Sequence, residues 1–339
     1  MTIDVDARVS SNLRLSSDYN VVRLDAPALA ETARPGQFVM IKASAGLKPL
    51  LRRPFSIFEI LTTADSSPAG FSLLNKRVGV GTTLLFDVKP QTRIACLGPL
   101  GRPFTLVDPP REAWMVAGGV GLAPFLMLAR ALRARGTAVS LFYGGRSADD
   151  LFFLDAFEQL GVTLVVTTED GSRGERGLVT APLHRALAAR GERPASHRDP
   201  AEPKPRSPRA RREEGEYREY STHRGQRPTP PMAGGLGGRM QQDVHPGLLN
   251  AATAALPPML YVCGPTPMMR AVATIGATHA CPSEVSLEPM MGCGMGGCYS
   301  CVVSVRDDHD ASPHFVRACM EGPIFAGDRL VWREPANTT

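Results

Sequence analysis

Four cysteines near the C-terminus are the residues best equipped for chemistry. Cys293, Cys298, Cys301 and Cys319 fall as C-x4-C-x2-C, with the fourth after a strand-like segment. This is the spacing by which four thiolates hold a [2Fe–2S] cluster. Gly294, Gly296 and Gly297 sit inside the loop, where they permit positive φ and turn backbone N–H groups toward the cluster sulfides. A structural zinc site is the alternative. Zinc ligands commonly come as two C-x2-4-C knuckles, whereas here the fourth cysteine stands alone and the first gap is glycine-rich. Cys96, Cys263 and Cys281 are scattered, so the seven cysteines make no even disulfide framework. An odd count with no secretory leader points to a reducing compartment and a cytoplasmic location.

A one-electron centre needs a donor and an acceptor. Arg53-Pro54-Phe55-Ser56 opens a strand-like segment. An arginine there can grip a pyrophosphate through its fork, Ser56 can bond a flavin ring nitrogen, and Phe55 can cover a ring face. Gly79-Val-Gly81-Thr82 is a glycine turn opening a short helix, with N–H groups and a hydroxyl for an anion. Gly98-Pro-Leu-Gly101 is a further tight turn. Each is an ordinary turn by itself; together, ahead of a nucleotide-type domain, they favour FAD.

Further along, Gly118-Gly119-Val120-Gly121-Leu-Ala-Pro124 follows a buried strand and precedes a helix. That is where a diphosphate meets a helix N-terminus, with Pro124 suited to the first helical position. Tyr143-Gly-Gly-Arg146-Ser147 ends the next strand, the place of the adenosine ribose in a doubly wound sheet. Arg146 there can accept a 2′-phosphate, stack on adenine or face water, so NAD against NADP stays open. Cys263-Gly264-Pro265 ends a later strand at the same sheet edge. Cys263 can touch the nicotinamide, or be a small buried residue.

These residues need a scaffold, and 339 residues suffice for two or three domains. Residues 7–105 read as short strands, among them Val21–Leu24, Gln37–Lys42, Pro54–Ile60 and Gly70–Leu74, which suggests a small antiparallel barrel. From Trp114 strand and helix alternate: strands at Trp114–Ala117, Val139–Tyr143, Val162–Thr167 and Met259–Cys263, helices at Pro124–Arg135, Ala148–Leu160 and Pro267–Thr278. That alternation is an α/β layer on a parallel sheet. A last strand is expected at Asp328–Trp332. The fold class is therefore multi-domain α+β: a flavin-binding β-barrel over 1–108, an α/β dinucleotide domain over 109–280, and a small cluster domain over 281–339.

Residues 191–242 are rich in Pro, Arg, Glu and Gly and poor in aliphatics. Such a stretch cannot bury enough apolar surface to order itself, and it reads as a disordered insertion, either a tolerated loop or a basic docking arm. It also carries most of the net charge of +5. With no recognition motif beside that charge, nucleic-acid binding is not expected. The apolar stretches break well before the ~18 residues of a membrane span, and the N-terminus has neither the basic nor the apolar region of a signal peptide.

Taken in order, Arg52-Arg53-Pro54-Phe55-Ser56-Ile57, Gly81-Thr82, Gly118-Gly119-Val120-Gly121, Tyr261-Val262-Cys263-Gly264-Pro265 and Ser286-Leu287-Glu288 leading into the cysteine loop resemble the ferredoxin–NADP reductase superfamily. Within it they are most similar to the electron transfer subunits of NAD-dependent dihydroorotate dehydrogenase. The likeness covers nearly the whole chain outside 191–242.

The resemblance implies FAD contacts at Arg53 to Ser56, Leu74, Asn75, Lys76, Gly81 and Thr82, and cluster ligation by the four cysteines. It implies NAD as co-substrate and a partner subunit carrying FMN, in a heterotetramer. The partner would oxidise dihydroorotate to orotate, a step of pyrimidine biosynthesis, and this chain would carry the electrons through cluster and FAD to NAD+. No general base is then expected here. The chain departs from the family pattern at Leu74-Asn75-Lys76, where an aromatic and an arginine are usual, at Phe55 and Pro289, and in the long insertion. Related NAD(P)H oxidoreductase subunits of similar build (NADPH:ferredoxin oxidoreductase, sulfide dehydrogenase, hydrogenase diaphorase) are the nearest rivals. A zinc-stabilised adaptor without flavin is the non-enzymatic one.

Overall fold

The structure is a computed structural model that describes residues 2–44, 46, 48–191, 256–307 and 312–332. All but the first residue of the expected insertion at 191–242 lies outside the described residues. Among them, no helix is long and apolar enough to cross a membrane.

The first seven strands are β1 (Ile3–Arg14), β2 (Tyr19–Asp25), β3 (Phe38–Lys42), β4 (Arg53–Ser56), β5 (Glu59–Thr62), β6 (Pro68–Lys76) and β7 (Arg93–Leu100), with helices α1 (Pro27–Ala30) and α2 (Val80–Asp87) between them. They form one antiparallel sheet in the order β4-β3-β7-β1-β2-β6-β5. The strand expected over Pro54–Ile60 is in fact two, β4 and β5, lying at opposite edges of this sheet. Ile57 donates its N–H to Gln37 O at 3.0 Å and Phe58 to Ser72 O at 2.9 Å. The buried Ile57-Phe58 step therefore bridges both edges and curls the sheet toward closure, which removes the exposed edges that a flat sheet would present. Ile57, Val39, Phe71, Leu73 and Ile94 fill the interior.

The second sheet combines β8 (Ala113–Gly118), β9 (Val139–Gly145), β10 (Thr163–Thr168), β11 (Glu175–Arg176), β12 (Met259–Cys263) and β13 (Ser283–Ser286), with α3 (Phe125–Ala134), α4 (Leu154–Gln159), α5 (Thr180–Gly191) and α6 (Thr266–Thr278) as crossovers. With a last strand β16 (Ile324–Ala326), its order is β11-β10-β9-β8-β12-β13-β16, parallel throughout except at that strand. Apolar strands such as Met259-Leu-Tyr-Val-Cys are buried at every position, as a sheet covered on both faces requires.

The helix expected over Ala148–Leu160 is broken. A short 3-10 turn at Ala148–Asp150 precedes Phe153, whose φ is +61°, and α4 begins only at Leu154. The break lets Phe152 pack against Tyr19 and Phe153 against Phe58 with tilted rings, each at 4.8 Å between ring centroids. Two aromatic pairs are worth about 0.5–1.5 kcal/mol each beyond the area they bury, which offsets the ~1–2 kcal/mol of one left-handed residue. Tertiary packing against the barrel thus overrides the helical pattern. Pro124 lies one residue before α3 rather than in it, after a 3-10 turn at Gly119–Leu122.

The cysteine loop leads into the hairpin β14 (Val302–Val305) and β15 (His314–Arg317), then α7 (Ala318–Glu321) and β16 (Ile324–Ala326). The strand expected at Asp328–Trp332 is instead β16, a few residues earlier, which pairs antiparallel with β13 through Ile324 to Ala326. A turn at Gly327 then returns the chain to the hairpin, where Leu330 makes a single bridge to Val305. Cys301 and Cys319 share one hydrophobic cluster with Phe38 and Met40 of the barrel and with Val262 and Val285 of the parallel sheet. The cysteines are therefore seated against both nucleotide-type layers.

Candidate functional site

The cysteine loop is built around its sulfurs. Cys301 and Cys319 are each 2 % exposed, while Cys298 is exposed and Cys293 half-buried. The Met295 N–H points at Cys293 Sγ at 3.3 Å, and the Ser300 hydroxyl lies 3.1 Å from Cys298 Sγ. Hydrogen bonds from Ser300, then from Cys293, draw the Cys298 pKa down to about 6, toward the thiolate that a metal ligand must be. Burial, then the neighbouring Cys301, push Cys319 up. Among the described residues no three Cys, His, Asp or Glu side chains converge on one ion position. The C-x4-C-x2-C spacing with its glycine-rich first gap suits two bridged irons better than the paired knuckles of zinc. The loop lies hard against the barrel: at Gly294 (φ +74°) a Cβ would stand 2.6 Å from Met40 Cγ, so no larger residue fits there.

On the barrel, the flavin candidates gather about the start of α2. A Cβ on Gly81 would stand 3.2 Å from Arg53 Cγ, so the glycine turn and the arginine face one another. Arg53 is exposed, and its guanidinium donates back to the carbonyls of Leu51 and Arg52 at 3.2 and 3.1 Å. The Thr82 hydroxyl accepts from the N–H groups of Val78 and Gly79, both at 2.9 Å, and so caps the turn. Beneath α2 runs a row of amides. Asn75 Nδ2 donates to Thr82 O at 3.0 Å and to Asn20 Oδ1 at 2.8 Å. Asn20 donates on to Asn12 Oδ1 at 2.7 Å, and Asn12 to the carbonyls of Phe86 and Val88, both at 2.9 Å. Asn75 is wholly buried and acts as a brace that fixes both ends of α2. The side chains of Leu74 and Phe55 pack into the hydrophobic clusters, leaving their backbone as the part that can meet a ligand. Ser56 ends β4, half-buried, beside Phe38. Pro54 is half-buried opposite Met40.

Lys76 ends β6 and reaches across to the parallel sheet, its Nζ 3.9 Å from Asp150 Oδ1. Asp150 is buried and was not singled out in the sequence, where it is one of two consecutive aspartates. Burial works against its charge, but the bonds from Arg146 and the charge of Lys76 win, and its pKa is held below the usual carboxylate range. Tyr19, buried against the same group with its hydroxyl unpartnered, is driven upward by burial and then by the Asp150 charge.

The dinucleotide candidates line a cavity of about 540 Å³ over the C-terminal ends of β8, β9, β10 and β12, where open α/β sheets take their ligands. Gly118, Gly119 and Gly264 with Pro265 are on its wall. Gly121 lies beneath, where a Cβ would come within 2.4 Å of Cys263 O. Only glycine lets the β8 turn and β12 approach so closely. Cys263 is fully buried, its Sγ 3.7 Å from Glu288 Oε1. Glu288 has an exposed edge on the cavity wall, yet the surrounding protein crowds its carboxyl and raises its pKa; burial and then Glu288 raise the Cys263 thiol well above normal. The pairing of Cys263 with Glu288 is the feature the sequence obscured. Twenty-five residues separate them, and only the parallel pairing of β12 with β13 brings the following Ser286-Leu287-Glu288 run to the same edge.

Residues 288–331 match the family profile described as the iron-sulfur cluster binding domain of dihydroorotate dehydrogenase B, and residues 115–196 match the oxidoreductase NAD-binding domain. A dihydroorotate dehydrogenase B (NAD(+)) electron transfer subunit of Desulforamulus reducens is 31 % identical over 96 % of this chain and 98 % of its own length. The chain belongs to this family. A second member, from Geobacillus sp. (strain WCH70), is 29 % identical over 89 % of this chain and 88 % of its own. Among solved structures, an NADH-dependent reduced ferredoxin-NADP oxidoreductase matches at a TM-score of 0.66 and 24 % identity, covering 97 % of this chain and 90 % of that one. The barrel, parallel sheet and C-terminal cysteine domain are the same fold as that reductase. As a member of the dihydroorotate dehydrogenase B electron transfer subunits, the chain carries an iron-sulfur cluster binding domain and an oxidoreductase NAD-binding domain.

Proposed function

We propose that this chain carries electrons between a partner subunit that oxidises dihydroorotate to orotate, by means of FMN, and NAD+. When bound, the cluster supplies one-electron steps and FAD joins them to a hydride exchange with NAD+. The protein's part is placement. The four cysteines hold the cluster, and the loop amides and Ser300 stabilise sulfur as thiolate. Arg53 and the Gly81-Thr82 turn hold the flavin diphosphate, with Asn75 fixing the turn from below. Gly118 and Gly119 give the dinucleotide diphosphate a backbone cradle ahead of α3. Cys263 and Glu288 flank the nicotinamide and exclude water from it.

The observation that carries this reading is the seating of the cysteine loop directly on the barrel, with Gly294 on Met40 and Gly292 beside Leu51, two residues ahead of Arg53. Sulfur ligands and flavin cradle are thereby neighbours through a few packed side chains. The partner side is supported by exposed apolar residues around the loop: Met290 is 83 % exposed, Met295 and Tyr299 63 % each, and Met320 50 %. Such a collar, rich in Met and aromatic character, suits a protein interface. A heterotetramer of two such pairs is the assembly expected.

The test is to purify the chain anaerobically with and without an FMN-binding partner. Alone it oxidises NADH with ferricyanide; with the partner it supports dihydroorotate-dependent NAD+ reduction. Dihydroorotate oxidation by this chain alone would overturn the assignment.

A further inference from the structure

The cavity over the parallel sheet has two ends, and Gly264 with Glu288 lines one, with Cys263 buried behind them. The strand order β10-β9-β8-β12 fixes what belongs at the other. A dinucleotide with its diphosphate on the β8 turn and its nicotinamide over β12 must lay its adenosine over the tips of β9 and β10. There the wall is made by Gly144, Arg146, Thr167 and Glu169.

Three features of this end bear on a ribose 2′ substituent. First, Arg146, the arginine placed to hold a 2′-phosphate, is already engaged. Its Nε donates to Asp150 Oδ2 at 2.8 Å and its Nη2 to Oδ1 at 3.3 Å. The same carboxylate accepts the backbone N–H of Arg146 at 3.2 Å, and its side chain is only 7 % exposed. Asp150 thus orients the Arg146 guanidinium toward itself, although the arginine side chain is 68 % exposed and the pair is not locked. Second, the Glu169 carboxylate has no ion pair or side-chain hydrogen bond among the described residues, while its backbone N–H is held by Gly145 O at 3.1 Å. The adjacent carboxylate, Asp170, is turned to Ser172, accepting its N–H at 2.9 Å and its hydroxyl at 2.6 Å. Glu169 is thus the free charge at this end. Third, Thr167 is fully buried and its hydroxyl has no partner, and a Cβ on Gly144 would stand 3.2 Å from it. A buried hydroxyl left unpaired is costly until a ligand or water meets it.

We propose that Glu169, supported by Thr167, makes this cavity accept NAD(H) and reject NADP(H). The free carboxylate accepts a hydrogen bond from the ribose 2′-hydroxyl and repels a phosphate at that position, while Asp150 withholds Arg146 from it. This rests on the reading that the cavity holds a nicotinamide dinucleotide.

The full chain, loaded with FAD, is assayed for NADH and NADPH oxidation with ferricyanide, and for inhibition by 5′-ADP and by 2′,5′-ADP. The native chain favours NADH in kcat/KM by about 100-fold or more, a margin that a buried hydrogen bond and a like-charge repulsion supply together. E169Q lowers that preference about tenfold and E169K about 100-fold, mainly through the KM for NADPH, and E169K gains inhibition by 2′,5′-ADP. Glu169 is exposed, so flavin content and melting temperature stay at native values, and the two variants check one another. Oxidation of NADH by the native chain with a preference unchanged in both variants overturns the proposal alone. Failure of both NADH and NADPH to reduce the flavin of the native chain overturns the functional reading as well.

Discussion

The cysteine loop and the dinucleotide cavity meet their ligands in contrasting ways. The loop gathers its ligands from one short stretch of chain, Cys293 to Cys319, leaves Cys298 at the surface, and surrounds it with exposed Met290, Met295 and Tyr299. The cavity is assembled from the tips of four strands, with residues as far apart as Gly118 and Glu288 on its wall and the fully buried Cys263 behind it. The difference follows from what each end exchanges. Electrons pass between proteins only at close range, so the loop must be presented to a partner. Hydride must be kept from water, so the nicotinamide end must be enclosed.

If the loop end serves the partner and the cavity end serves NAD, damage to one should spare the other. The largest effect is expected at a buried ligand. C301S should lower dihydroorotate-linked NAD+ reduction in the complex by about 100-fold or more, because the cluster loses one of its four thiolates, while NADH–ferricyanide activity remains within about threefold of native. A joint loss would mean that the two ends are not separable.

Next comes the junction between them. D150A removes the buried carboxylate that Arg146 and Lys76 share across the barrel and the parallel sheet. The cost is about 1 kcal/mol of folding stability, because the guanidinium left behind is largely exposed to water, read by denaturant unfolding. A value near zero would make the contact incidental.

At the cavity, E288Q should slow flavin reduction by NADH about fivefold, as the loss of one charged positioning contact of about 1 kcal/mol does, without loss of the cluster. Its effect on stability has a definite sign. Burial raises the Glu288 carboxyl, so the group costs nothing below the unfolded value, about 4.3, and destabilises the fold as pH climbs through the raised value. The glutamine variant should match the native melting temperature near pH 4 and exceed it at pH 8. The reverse order would show that the charged carboxylate is stabilising.

An effect of similar size belongs to the collar. M295S should weaken partner binding about five- to tenfold, as the loss of one apolar anchor does, measured by titration of the partner, with both cofactors retained. Unchanged affinity would place the interface elsewhere.

How far the molecule was legible in its residues differs between the same two regions. The loop was readable because cysteine spacing and glycine placement are local, and ligation depends on side-chain type. The barrel and the parallel sheet were readable from strand spacing and strand–helix alternation. Three things were hidden, each for a tertiary reason. Ile57-Phe58 looks like the middle of a strand, and only closure of the sheet makes it a bridge between edges. Phe153 fits a helical pattern, and only the rings of Tyr19 and Phe58 hold it at positive φ. Asp150 is an unremarkable acid in sequence, and Glu288 shows there only as part of the run leading into the cysteines; the contacts of Asp150 with Lys76 and of Glu288 with Cys263 join elements far apart along the chain. Arg146 was visible, but its engagement by Asp150 was not.

The most direct test of the central claim is an anaerobic titration of the purified chain with NADH, followed by absorbance and electron paramagnetic resonance, alongside iron, zinc, sulfide and flavin analysis. The expected result is about two irons, two acid-labile sulfides and one FAD per chain, with NADH bleaching the flavin and raising a reduced-cluster signal. A colourless chain holding one zinc and no labile sulfide, or a cluster that NADH cannot reduce, would contradict it.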